Sequence, residues 1–227
     1  MTGMIPVAVS ENGRFYEALS MCKWERMRRQ QIKANRIMAS SRIPIRYEGL
    51  GWDDYQQDDT DRDAIRMAHW SVDHDDVSAF LYGPRGTGKT MLAAIIANEK
   101  LKTGVPVVFA SLPDLLFDIR SSYEKGNTKD VMKAVMDAPF LVLDDLGAER
   151  MTEWVAEQLF TIINHRYNGR LQTIITSNFR QKELLMRMAT VDKAGRVVSD
   201  TQGQRIMSRI SGMCQGIEFR GPDRRQS

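Results

Sequence analysis

A chain of 227 residues, 42% hydrophobic and 27% charged, is long enough for one α/β domain with a buried core plus a short extension, and its balance excludes disordered and fibrous classes. No apolar run approaches the roughly 20 residues of a membrane span. The first residues lack the basic head and apolar stretch of a secretion signal, so a cytoplasmic protein is expected. Cys22 and Cys214 stand far apart, which excludes a disulfide framework and a four-cysteine zinc site and leaves inert thiols.

The formal net charge of +3 conceals an asymmetry. Up to Arg46, the bases Arg14, Lys23, Arg26, Arg28, Arg29, Lys33, Arg36, Arg42 and Arg46 face only Glu11, Glu17 and Glu25. From Tyr47 to Tyr82 acids dominate instead. The basic arm suits nucleic acid, an acidic partner, or simply a solvated helix.

In chain order, the composition of Gly13–Ala39 predicts a helix with a ragged apolar stripe. Ser40–Tyr55, with Pro44, Gly49 and Gly51, reads as a linker. A helix over Thr60–Trp70 leads to the strand Ala79–Tyr82, a glycine-rich turn, and a helix from Lys89 to Lys102 that stops before Gly104. Val105–Ala110 is a β-branched run, and Pro113–Tyr123 a helix with proline in its first turn. Phe140–Leu143 is the next strand, Glu153–Tyr167 a helix and Gln172–Thr176 a further strand. Strands that are continuous apolar runs separated by helices predict a parallel sheet with helices on both faces.

The strongest chemical signal is Gly83-Pro84-Arg85-Gly86-Thr87-Gly88-Lys89-Thr90, which fits G-x-x-x-x-G-K-[ST] between a strand and a helix. Glycines let the backbone turn its N–H groups onto phosphate oxygens, and the helix adds its positive end. Lys89 carries charge to the β- and γ-phosphates, Thr90 offers a hydroxyl to Mg2+, and Met91 completes the candidate ATP-binding stretch. Asp144 ends an apolar strand where the loop also lies, as a magnesium ligand would. Asp145 is either the acid that polarises attacking water or a capping acid, with Glu149 in reserve. Asn178, after Thr176 and Ser177, is placed to contact the γ-phosphate or the water. On the Gln204–Ile210 segment, Arg205 and Arg209 share a helix face four residues apart, suited to a phosphoryl group of a neighbouring subunit or to an exposed basic face. His69, His74 and His165 show no ligand spacing. Arg120, Lys125, Lys129, Lys133, Arg166 and Arg170, with Phe117, Tyr123 and Phe179, are possible DNA contacts or ordinary surface and core residues.

These residues resemble the DnaC/DnaI helicase loaders and the IstB-like transposition ATPases of the AAA+ class. The resemblance runs from about Ile43 to Phe219 through Ile43–Tyr47 with Trp52–Tyr55, the loop at 83–90, the block Leu141–Glu149, Thr176–Asn178 and Gly203–Ile210. It implies an AAA+ P-loop NTPase core over 43–227 without a C-terminal lid domain, preceded over 1–42 by a short, basic helical N-terminal extension that binds a partner. It also implies Asp145 as second acid, Asn178 as sensor, Arg209 as the finger acting on ATP of the next subunit and Arg205 as its companion. Ala189–Thr201 is a polar insert, a loop or a hairpin. The implied activity is slow, DNA-modulated ATP hydrolysis that times the loading of a hexameric DnaB-like replicative helicase onto single-stranded DNA, in a bacterium or its phage. Two alternatives stand beside it. One is a transposition helper that binds duplex DNA and recruits a transposase; the other is an adaptor for which ATP is only a conformational ligand.

Overall fold

The computed structural model describes residues 4–11, 14–21, 41–56, 62–191 and 197–225. The chain divides into two compact units, Met1–Ser40 and Ser41–Ser227. In the first, β1 (Met4–Glu11) pairs antiparallel with β2 (Arg14–Met21), Glu11 facing Arg14. This corrects the helix expected over Gly13–Ala39 in its first third; residues 22–39 lie outside the described residues. The signal was local. Asn12-Gly13 between two runs rich in β-branched and aromatic residues is a two-residue hairpin sequence, and it outweighs a composition that favours helix.

The second unit is built on a five-stranded sheet, all of whose pairs are parallel, in the order β4-β5-β6-β3-β9. The strands are β3 (Ser78–Tyr82), β4 (Val107–Ser111), β5 (Phe140–Asp144), β6 (Gln172–Ser177) and β9 (Cys214–Glu218). Helix α1 is Arg62–Asp73 and α2 is Lys89–Lys102. After β4 come α3 (Leu112–Lys125) and α4 (Thr128–Met136), then α5 (Glu153–Gly169) and α6 (Gln181–Met188). The insert ahead of α7 (Thr201–Met213) is a hairpin of β7 (Thr190–Val191) and β8 (Val197–Ser199), one of its two expected forms.

Strand alternation sorts the core into two layers. Phe80, Leu141, Leu143 and Ile175 face one side, where Leu115, Ile119, Leu159, Ile163, Leu184 and Ile206 of the helices cover them. Ala79, Leu81, Phe140, Val142 and Ile174 face the other, under α1 and α2. Every residue of β5 and β6 is buried, which is why β5 reads as an unbroken apolar run up to Asp144. Each fully buried Leu, Ile or Phe contributes about 1.5–3 kcal/mol.

Local signals set the helix ends. The Ser111 side chain accepts from Asp114 N at the start of α3, and Gly126 ends it in the left-handed region; Thr152 caps α5 in the same way as Ser111. The segment expected to be a linker is instead packed on the domain. Asn98 of α2 donates to the carbonyls of Tyr47 and Leu50 at 2.8 and 2.9 Å, and Trp52 stacks on His69 at 3.8 Å. Among the described residues no helix is long and apolar enough to cross a membrane.

Candidate functional site

At the C-terminal edge of the sheet, β3 runs into Gly83, whose φ of 141° and close approach to the Phe219 carbonyl leave no room for a Cβ. Gly83 N donates to Ser177 O at 3.2 Å, fixing the loop to β6. Thr87 Oγ1 closes the loop onto Pro84 O at 3.0 Å. Gly88 is left-handed and stands at the head of α2, where its carbonyl accepts from Leu92 N. Pro84 and Arg85 are exposed, and Met91 packs on the core beneath. The result is a backbone cradle opening onto a helix N-terminus, the form an anion requires.

Lys89 spans this cradle. Its Nζ donates to Gly83 O at 2.9 Å and to Pro84 O at 2.6 Å. Burial pulls its ammonium down to about 8, against the opposing attraction of Asp145 and Asp144. Thr90 Oγ1 donates to Asp144 Oδ1 at 2.9 Å, joining helix to strand end. The same oxygen accepts from Thr176 Oγ1 at 2.6 Å. Burial pushes the Asp144 carboxyl up, while its bonds to Thr176 and Thr90 hold it down.

Thr176 also organises the next residue: its Oγ1 accepts from Asp145 N at 2.9 Å, and its carbonyl accepts from Leu146 N. Asp145 sits at φ 59°, in the left-handed region that a side chain rarely adopts, and its Oδ1 accepts from Asn178 Nδ2 at 2.6 Å. The strained turn thus aims the Asp145 carboxylate at Asn178, just past the end of the adjacent strand β6. Gly147 continues it at φ 93°, and a Cβ there would lie 2.5 Å from Leu184 Cδ2. Gly147→Ala is expected to lower the unfolding free energy by about 1–3 kcal/mol in urea titration, from backbone strain plus displacement of Leu184.

The structure therefore brings Lys89, Thr90, Asp144, Asp145 and Asn178 to one sheet edge. Arg205 and Arg209 lie elsewhere, on α7 against α5. Arg209 Nε donates to Asn164 Oδ1 at 3.1 Å and its guanidinium lies over Tyr167; that of Arg205 lies over Phe160. Glu149 is exposed. Arg166, counted among possible DNA contacts, is fully buried and bonded to carbonyls, so it has no surface role. Sequence reasoning missed Thr176 as a site residue; a polar side chain in the middle of a sheet buried on both faces was the available signal.

Such a loop, opposed by a strand-end aspartate with another strand interposed between them, marks an AAA+ P-loop ATP-binding domain. The chain belongs to the family described as IstB-like ATP binding protein, which matches residues 7–194. It is 28% identical to the replicative helicase loader DnaI of Bacillus subtilis (strain 168), over 94% of this chain and 71% of that protein. The crystal structure of DnaI superimposes with a TM-score of 0.67 at 28% identity, covering 83% of this chain and 99% of that one. That of the DnaC helicase loader gives 0.67 at 26%, covering 78% and 99%. DnaA bound to AMPPCP and single-stranded DNA, at 0.65 and 23% identity over 80% and 52%, shares the fold.

Proposed function

We propose that this protein is an ATPase that loads a hexameric replicative helicase onto single-stranded DNA, with ATP binding and hydrolysis as the assembly and release switch. The observation that carries the chemistry is the Thr90–Asp144 contact at 2.9 Å, which sets the phosphate loop beside the acid strand. Support for the loader role comes from similarity to DnaI and DnaC across most of the domain.

Thr90 and Asp144 are the residues that would hold magnesium. They are paired hard oxygens, and the described residues hold no cluster of three or more acidic, histidine or cysteine side chains. That suits an ion taking its other ligands from phosphate and water. When bound, the ion supplies charge neutralisation at the phosphates. Lys89 leaves the Gly83 and Pro84 carbonyls for the β- and γ-phosphates. Asp145, steadied by Asn178, orients the water. Arg209, with Arg205 beside it, acts on ATP of an adjacent subunit, and residues 1–42 grip the helicase.

Asp145→Asn is expected to reduce turnover about 10–100-fold while ATP affinity stays within about 3-fold, because the water loses its proton acceptor and the phosphates lose nothing. Steady-state hydrolysis and calorimetry check this. If parent and variant both fail to turn over, ATP is only a conformational ligand. The loader reading itself is tested by hydrolysis with and without single-stranded DNA, and by capture of the replicative helicase with and without residues 1–40. A DNA-independent rate and no capture overturn it, and preference for duplex DNA would instead indicate a transposition helper.

A further inference from the structure

Beyond β9 the chain does not leave the phosphate loop. Phe219 N donates to Tyr82 O at 2.7 Å, extending the sheet by one rung, and its ring is buried. Four residues further on, the Asp223 carboxylate lies against Gly86, so close that a Cβ there would overlap it, at 1.8 Å from Oδ1. Arg224 N donates to Gly86 O at 3.0 Å. The Arg224 guanidinium lies 4.8 Å over the Tyr55 ring and donates to Gln56 O. Tyr55, in turn, has its hydroxyl 3.0 Å from the position a Cβ would take on Gly88. Two glycines of the loop are therefore walled by one short segment and by the residue it clasps.

The charges of this segment are arranged pairwise. Arg225 bonds Asp223 through Nε at 3.0 Å and NH2 at 2.9 Å, and Arg225 N also donates to Asp223 Oδ1. A loop built to receive a polyphosphate thus has, resting on one of its glycines, a carboxylate that already holds an arginine. The arginine is 65% exposed and its partner 29%, so the pair is weak enough to exchange. An incoming polyphosphate carries more charge than a carboxylate and accepts the same forked donors.

We infer that Asp223 is a resident counter-ion and Arg225 a nucleotide-binding residue: when ATP enters, Arg225 exchanges the Asp223 carboxylate for the polyphosphate, while Arg224 keeps the segment clipped to Gly86. The inference rests on the reading of Gly83–Thr90 as the triphosphate site. It makes Asp223 and Arg225 act with opposite signs, which a purely structural clasp does not.

Calorimetric titration of the full chain with ATP, ADP and AMP tests it. Asp223→Asn, which keeps the volume against Gly86, is expected to tighten ATP about 3-fold by freeing Arg225. Arg225→Gln is expected to weaken ATP about 5-fold, with a smaller loss for ADP and none for AMP. Thermal midpoints of both variants should match the parent. Shifts of the same sign, no shift, or equal losses for AMP and ATP overturn the inference. A parent chain that binds no ATP overturns the underlying reading with it. If the parent binds ATP, Lys89→Ala does not, and the Asp223 and Arg225 variants behave as the parent, this inference alone falls.

Discussion

Arg166→Met is expected to lower the unfolding free energy by about 3–5 kcal/mol. The guanidinium is fully buried. Its NH1 donates to the carbonyls of Val135, Met136 and Ala138 at 3.0, 3.1 and 2.8 Å, its NH2 to Gln172 O at 2.6 Å and its Nε to Thr173 Oγ1 at 2.9 Å. Val135 and Met136 belong to the last turn of α4, whose carbonyls have no partner within the helix. Arg166 supplies those donors and places a cation at the negative end of that helix. Methionine fills the volume but leaves four carbonyls dry. Lysine should recover only part of the loss, since a point donor cannot reproduce the fork. Burial draws the Arg166 guanidinium down to about 10. It is therefore charged in both folded and unfolded chains below about pH 9, and the deficit should hold constant from there to about pH 6. Urea midpoints across that range check both size and flatness.

The same network explains part of what the sequence alone does not disclose. Gln172 donates to the carbonyls of Ser71, His74 and Val77, and Thr173 N donates to Ser78 Oγ. These polar residues look like the frayed start of a strand, yet they are buried and satisfied by groups about a hundred residues away. Elements whose character is local were legible. The helix Lys89–Lys102 lies between two left-handed glycines, and β3, β5 and the Ile174-Ile175 centre of β6 are apolar because both faces are covered. Elements whose character is borrowed were not. Gln215 and Gly216 of β9 are exposed at the sheet edge, so no apolar run marks this strand, which exists through pairing with β3. Helix α6 buries only Leu184 and Met188, and α4 only Val135, too little periodicity to announce either.

The site divides along the same line. Gly83–Thr90 and Asp144–Asp145 are contiguous words whose spacing encodes their geometry. Asn178 follows a strand that the fold inserts beside β5, so its bond to Asp145 was within reach of sequence reasoning. Thr176, which holds Asp144 with its hydroxyl proton and Asp145 N with its lone pair, acts through a register between strands that no spacing in one strand reveals. Asp223–Arg225 carry no motif at all, and only the fold lays them on the loop.

Lys89→Ala is the corresponding test of the nucleotide site, and the expected loss of ATP affinity is at least about 100-fold. Charge-assisted bonds contribute roughly 1.5–3 kcal/mol each, and a lysine that reaches two phosphates loses both on truncation, whereas 2.7 kcal/mol alone is about 100-fold. In the free protein the same side chain is nearly buried and held by loop carbonyls. Burial there pulls its ammonium down to about 8, so its charge is disfavoured until an anion arrives. Stability of the nucleotide-free protein should consequently change by less than about 1 kcal/mol, because relief of the buried charge offsets the lost bonds. Calorimetry with ATP and urea titration without it separate the two effects. A variant that unfolds more easily and binds as tightly as the parent would show a lysine that merely ties the loop, and the triphosphate would then have to be sought elsewhere on the sheet edge.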